Sequence, residues 1–424
     1  MSNIGFFSPH NSELPPGWNK SRYKYHVSIE NGYPFNSELF DSTEGFPLIR
    51  IRDITSGNVE TFYKGDVLSD FVVSKDDLLI GMDGDFNCRW WEGPESLLNQ
   101  RCCRIRERSS FYRRFLFYVL PLQLKVINDL THFTTVKHLS SDDLLNQSCW
   151  IPPLEEQQLI SRYLDKKTEQ IDSLVEKIQK KIELLKEQRT SSINQFITKG
   201  LDPNVEMRDS GVEWIGEIPS HWGVIKIGHY SNIIRGSSPR PAGDPRLFGG
   251  SFIPWITVRE VTNQETKYIR STETSLTEEG MKKSTKVYPG TLLFSNSGAT
   301  LGVPRFTEIE GCINDGSVAF LDIRPSLLPE FLYWFLTTQT TRLRSEQSGF
   351  GQPNLNTEIV SNIKVPLPPI DEQNIISTKI EKTSRQIDEL IFLLDRKSNV
   401  LTEYRQSLIS SVVTGKVRVT KDMV

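Results

Sequence analysis

The chain repeats itself, and that limits what it can fold into more than any other feature. Pro152-Pro153-Leu154-Glu155-Glu156-Gln157 returns as Pro368-Pro369-Ile370-Asp371-Glu372-Gln373, an offset of 216. Without a gap, Gln170-Ile171-Asp172-Ser173-Leu174 returns as Gln386-Ile387-Asp388-Glu389-Leu390, and Glu187, Arg189, Ser191 and Ile193 as Glu403, Arg405, Ser407 and Ile409. The regions before these segments repeat more loosely. Pro15-x-x-Trp18 matches Pro219-x-x-Trp222, and Gly32 matches Gly236. Pro47-x-Ile49-x-Ile51-Arg52-Asp53-Ile54-Thr55 matches Pro254-x-Ile256-x-Val258-Arg259-Glu260-Val261-Thr262. Leu78-Leu79 through Gly84 matches Leu292-Leu293 through Gly298, and Phe115–Tyr118 matches Phe331–Trp334. The offset drifts from 204 to 216, as it does when loops change length while elements keep their order. The predicted organisation is therefore a globular domain and a helix, each present twice. The first domain is 1–153 and the central helix 154–199. A linker and the second domain fill 200–369, a distal helix 370–416, and a C-terminal tail 417–424.

The tightly repeated segments read as long helices. An acidic residue follows each Pro-Pro pair, which suits a helix N-terminus through the macrodipole. Apolar residues then recur at intervals of three, four or seven: Leu164, Ile171, Val175, Ile178, Ile182 and Leu185 in one, Ile380, Ile387, Ile391, Leu394, Leu401 and Leu408 in the other, where Ser384 and Ser398 are soft gaps. Flanked by charges, such a stripe is a coiled-coil seam. Each helix would be roughly 66 Å long at 1.5 Å per residue, and Gly200 and Gly415 stand where each can stop. The two stripes have an obvious partner in each other. Parallel pairing would crowd both globular domains at one end. Antiparallel pairing makes the helices a spacer with a domain at each end, and is the arrangement expected.

The globular domains read as mixed α/β. Short β-rich runs such as Leu48-Ile49-Arg50-Ile51 and Trp255-Ile256-Thr257-Val258 alternate with turn-rich stretches. An aromatic amphipathic helix is predicted near Phe111–Leu120 and again near Phe331–Leu336. Its aromatics, at helical spacing in both halves, read as core rather than as a base-stacking platform, and Trp18 and Trp222 as core anchors.

No catalytic constellation is visible. The chain lacks a phosphate-binding G-x-x-x-x-G-K-[ST] loop, an H-E-x-x-H pair, a G-x-S-x-G elbow and any Cys/His group with metal-ligand spacing. Asp83-Gly84-Asp85 reads as a turn rather than a metal carboxylate pair, because its counterpart is Ser297-Gly298-Ala299. Five cysteines without a C-x-x-C pair argue against a disulfide framework and suit a reducing cytosol. No apolar run approaches the ~20 residues needed to span a bilayer. With 50 basic and 53 acidic residues the net charge is −3, so no basic domain announces nucleic acid. Any DNA binding must come from a local face or from a basic partner.

The two Pro-Pro-x-[ED]-Glu-Gln helix starts carry a family resemblance. So do Gly200-Leu201-Asp202-Pro203 and Ser210-Gly211-Val212-Glu213-Trp214-Ile215-Gly216-Glu217-Ile218-Pro219-x-x-Trp222. Over nearly its whole length the chain resembles the specificity (S) subunit of type I restriction–modification systems. The resemblance implies an α/β (α+β) fold of two target-recognition domains separated by antiparallel coiled-coil helices. It implies a non-catalytic, cytoplasmic subunit that selects a bipartite double-stranded DNA site. Two methyltransferase (M) subunits and restriction (R) subunits are the implied partners. They are expected to carry the S-adenosylmethionine, ATP and Mg²⁺, with no cofactor bound directly. The first domain departs mildly from the pattern, opening on a shorter Leu14-Pro15-Pro16-Gly17-Trp18. The competing reading is a coiled-coil adaptor that joins two proteins and binds no DNA.

If the domains read different half-sites, the readers belong on loops that match in position and differ in side chain. Around the Gly84 and Gly298 turns these are Asp83, Asn87 and Arg89, against Asn296, Ser297 and Thr300. A second pair of loops offers Asn99, Gln100 and Arg101 against Asn314 and Asp315. A third, before the helix starts, offers Thr135, Lys137 and His138 against Gln352, Asn354 and Asn356. Arg52 and Arg259, on equivalent strand positions and followed by acids, read as structural ion pairs or phosphate contacts.

Overall fold

The computed structural model describes residues 15–130, 138–263, 266–298, 300–347 and 355–424. It divides into two compact units, the residues up to Gln179 together with Arg396–Val424, and Lys180–Asp395. The division falls inside each long helix rather than between helix and globular domain. Those helices are Leu154–Lys199 and Ile370–Val413. Each ends at a glycine in the left-handed region, Gly200 with φ 73° and Gly415 with φ 74°, where a side chain would be strained.

In the first unit, Val27–Asn31, Cys102–Glu107, Leu78–Gly81 and Cys88–Trp90 form an antiparallel four-stranded sheet. A second sheet contains Phe46–Ile49 running parallel to Ser96–Leu98. The strand Asn19–Arg22 pairs with Ser148–Ile151 immediately before the central helix. The second unit repeats the scheme. Leu292–Ser295 lies between Ser317–Leu321 and Pro304–Thr307, Phe248–Ile256 runs parallel to Gly311–Ile313, and Gly223–Lys226 pairs with Lys364–Leu367 before the distal helix.

The β-rich runs end sooner than expected. Strand Phe46–Ile49 gives way to a short helix at Ile51–Ser56, and Phe248–Ile256 to one at Val258–Thr262. The acid of each repeated motif forces the change: Asp53 Oδ2 accepts the Arg50 amide at 2.8 Å, and Glu260 Oε2 accepts the Thr257 amide at 2.9 Å. This is capping-box chemistry, which satisfies a backbone donor at a helix start. Arg52 and Arg259 therefore sit on helices, not strands. They pair with Glu60 at 3.4 Å and Glu273 at 2.9 Å.

The aromatic helices run longer than expected, Arg113–Leu130 and Pro329–Gln347. Their aromatics are core, with Phe115, Phe331 and Phe335 wholly buried. Trp18 and Trp222 are buried with them. In the first unit this core continues into the long helices, joining Ile160, Leu164 and Ile171 to Leu408 and Val412. In the second it joins Ile193 and Ile197 to Ile376 and Ile380. All twelve stripe residues of the long helices are buried or half-buried.

The helices run in opposite senses where they pack. In the first unit Asp172 bonds Arg405 at 2.8 Å while Gln179, further along, reaches back to Ser398 at 3.4 Å. In the second unit Arg189 pairs with Asp388. Asp172 and Asp388 are repeat equivalents, as are Arg189 and Arg405. One pair of positions thus serves both units with donor and acceptor exchanged between helices, the reciprocity of a self-complementary interface. Residues 417–424, expected as a tail, instead pack on the first core: Val419 is buried, and Met423 and Val424 rest against it.

Candidate nucleic-acid interface

In each unit four chain segments meet at one corner, held by matching main-chain hydrogen bonds. In the first, the Asn99 amide donates to Ile49 O at 3.1 Å, the Met82 amide to Arg101 O at 2.8 Å and the Leu139 amide to Met82 O at 2.7 Å. In the second, Asn314 donates to Ile256 O at 3.1 Å, Asn296 to Gly316 O at 3.0 Å and Leu355 to Asn296 O at 2.7 Å. The repeated glycines complete the frame. A Cβ on Gly32 would stand 2.1 Å from Asn99 O, and one on Gly236 would stand 2.0 Å from Asn314 O. Only glycine lets the backbones approach so closely. The turns at Gly84 and Gly298 match as well, with φ of 75° and 74°.

On this common frame the side chains diverge. In the first unit Asp83, Arg101 and His138 come together. His138 Nδ1 lies 2.7 Å from Asp83 Oδ1 and 3.2 Å from Arg101 Nη1, and Arg101 Nη1 lies 3.6 Å from Asp83 Oδ1. The ring nitrogen donates to the carboxylate or accepts from the guanidinium, but not both at once. Gln100 is exposed beside them, and Arg101 is held at φ 69°. Met82 and Asn99 are buried. In the second unit Ser297 stands for Asp83 and Gly316 for Arg101, with Ser297 Oγ only 3.2 Å from where a Gly316 Cβ would be. Asn296 replaces Met82; it is fully buried and neither its side-chain Nδ2 nor its Oδ1 has a partner. Asp315 accepts from Ser238 Oγ at 2.5 Å and lies 3.9 Å from Arg240.

Other candidates have local employment. Arg89 Nε and Nη2 donate to Ile54 O at 2.5 Å and Thr55 O at 2.6 Å, closing the C-terminus of the short helix, and Asn87 bonds Thr55 Oγ1 at 3.1 Å. Asn356 caps the helix Thr357–Asn362 by accepting the Ile359 amide at 2.7 Å. Half-buried Asn314 leaves its Oδ1 without a partner. Thr300 is exposed, and its carbonyl accepts from Ser295 Oγ at 2.8 Å. Thr135, Lys137, Gln352 and Asn354 lie outside the described residues. Ser238 and Arg240 belong to no motif that marks them in the sequence, and only the fold brings them to Asp315.

The thiols are buried, which pushes Cys103 and Cys149 up to about 12 and raises Cys88, Cys102 and Cys312 as well. A thiolate nucleophile is thereby disfavoured at neutral pH. Among the described residues no group of three or more His, Cys, Asp or Glu side chains could hold a metal ion, and no helix is long and apolar enough to cross a membrane.

Comparison with known proteins agrees with this twofold plan. The family model for the type I restriction modification DNA specificity domain matches twice, at residues 15–184 and 219–391. The type I restriction enzyme EcoBI specificity subunit of Escherichia coli is 30% identical over 418 residues, covering 92% of this chain and 84% of that one. The MjaVIII specificity subunit of Methanocaldococcus jannaschii is 23% identical, covering 98% and 96%. A solved structure concerned with assembly and conformational transition of the type I R-M system shares the fold, with a TM-score of 0.75, 17% identity and coverage of 96% and 100%. The HsdS subunit from Thermoanaerobacter tengcongensis gives a TM-score of 0.55 at 18% identity, covering 96% and 99%.

Proposed function

The chain belongs to the type I restriction–modification DNA specificity family, whose members are non-catalytic DNA-recognition subunits, and on that premise we infer that its two corners read the two halves of a split DNA target. The observation that carries this reading is a single backbone frame bearing unlike side chains. Arg101, Asp83, Gln100 and His138 face one half-site; Ser297, Thr300 and Asp315 face the other. Arginine can address guanine through two parallel hydrogen bonds, whereas a hydroxyl or a short acid cannot. The half-sites therefore differ in sequence. Family membership also disfavours the adaptor that binds no DNA.

The antiparallel long helices, paired within each unit, support a fixed spacing between half-sites, on the order of one helical turn or ~34 Å of duplex. Methyltransferase subunits modify adenine in the selected target and restriction subunits cleave. S-adenosylmethionine, ATP and Mg²⁺ belong to those partners, and the assembly works in the cytoplasm. Apolar side chains left exposed on the long helices support such docking, among them Leu184, Phe392, Leu393 and Tyr404. A near-neutral chain also fits a complex in which partners supply much of the phosphate attraction.

Methylome sequencing of the host tests the reading. One split adenine-methylated motif should disappear when the gene for this chain is deleted. An unchanged methylome, together with no DNA selectivity in the assembled complex, would overturn it.

A further inference from the structure

The repeated glutamines are wholly buried and fully engaged. Gln157 Oε1 accepts the Tyr112 amide at 2.8 Å, and its Nε2 donates to Ser110 O at 3.0 Å and Pro152 O at 2.9 Å. Gln373 does the same in the second unit, with the Leu328 amide at 2.7 Å, Ser326 O at 2.9 Å and Pro368 O at 2.8 Å. Each amide ties the first turn of a long helix to the turn that leads into the aromatic helix of its globular domain. Both donor hydrogens and the acceptor are used.

Eight residues further along each long helix stands an acid. Asp165 takes Arg114 Nε at 2.7 Å and the Tyr118 hydroxyl at 2.5 Å, and that guanidinium lies 4.8 Å from the Trp90 ring. Glu381 takes Lys267 Nζ at 2.7 Å, and that ammonium lies 6.0 Å from the Trp334 ring. The acids are repeat equivalents but the cations are not, since Arg114 begins the aromatic helix and Lys267 adjoins the strand Tyr268–Ile269. Two lineages of side chains have reached one arrangement, which argues that the fixing itself is what is needed.

We propose that the two fixings in each unit are positioning elements that determine how strictly the spacer length of the DNA target is read. The shared apolar core joins each domain to its helix but is non-directional and tolerates small sliding. Two directional fixings, about 12 Å apart on one helix at 1.5 Å per residue, stop a domain from sliding on that helix. A half-site displaced by one base pair then meets a domain that cannot follow it. The proposal rests on the DNA-reading function above and concerns spacing, not base identity.

The test uses the complete complex with its methyltransferase subunits and duplexes whose half-sites are kept while the spacer is one base pair short or long. Gln157→Met and Gln373→Met, each losing three hydrogen bonds, should each raise methylation of the off-length duplexes, relative to the best one, by at least about tenfold, the scale of one such bond. Asp165→Ala and Glu381→Ala, at part-exposed positions that tolerate change, should raise it about threefold. Lys267→Arg, which keeps the charge opposite Glu381, should leave the wild-type profile in place. Discrimination against base changes within either half-site should stay as it was. Active variants with an unchanged spacer profile would overturn the proposal, as would base discrimination falling in step with spacer discrimination. A wild-type complex that selects no split target would overturn the DNA reading instead.

Discussion

The first domain's corner presents an imidazole within hydrogen-bonding reach of a carboxylate and of a guanidinium, whereas the second presents a serine beside a glycine. Their backbones nonetheless share the same donors, the same acceptors and the same two glycines. The difference teaches where specificity can change at little structural cost. When main-chain bonds and close backbone approaches hold a frame, exposed side chains contribute little to folding and are free to diverge.

The sharpest way to break the comparison is to attack the frame. Gly32→Ala and Gly236→Ala each drive a Cβ into a backbone carbonyl, and each should destabilise its own unit by more than about 4 kcal/mol. Differential scanning calorimetry should show comparable losses; a loss in one variant alone would mean that the corners are not equivalent. Next comes the principal side-chain difference. Arg101→Ala should weaken binding at one half-site by about 1–3 kcal/mol and leave the sequence preference at the other intact. Because Arg101 sits at positive φ, Arg101→Gly is the strain-free version and copies the second corner. Titrations with duplexes altered in one half at a time would reveal equal loss at both, the result that denies independent readers.

The smallest effect concerns the fixings. Burial, and then the Asp165 carboxylate, push the Tyr118 phenol up to about 12, above the ~10 of an exposed tyrosine. Its contribution is therefore fully present below pH ~10 and is lost as pH rises through about 12. Trp334, its repeat equivalent, has no proton to lose in this range. Alkaline unfolding followed with tyrosinate absorbance should show a step in the first unit that Tyr118→Phe diminishes, the buried Tyr23 supplying the rest.

Much of the architecture was legible in the sequence because long-range identity in a fixed order survives without any knowledge of contacts. The existence of the long helices, their buried stripe and the aromatic core followed from periodicity. The short helices after Ile49 and Ile256 did not, because β-branched runs there conceal a capping acid three residues beyond the N-cap. Nor did the docking of Val419, which looks like tail composition until a partner surface is known. Among the candidate readers, position was legible and employment was not. Arg89 and Asn356 have the right chemistry for bases, yet local carbonyls and amides engage them.

By itself the sequence determined that there are two domains, two helices and two unlike sets of loops, since repetition and divergence are properties of the string. Only the tertiary structure decided that the helices pack in opposite senses, that Asp83, Arg101 and His138 share one corner, and that Gln157 and Gln373 are clamps. Such facts depend on which distant backbone groups come within about 3 Å of a side chain. Hydrogen bonds of that length are set by geometry in space, and no local pattern of residues encodes it.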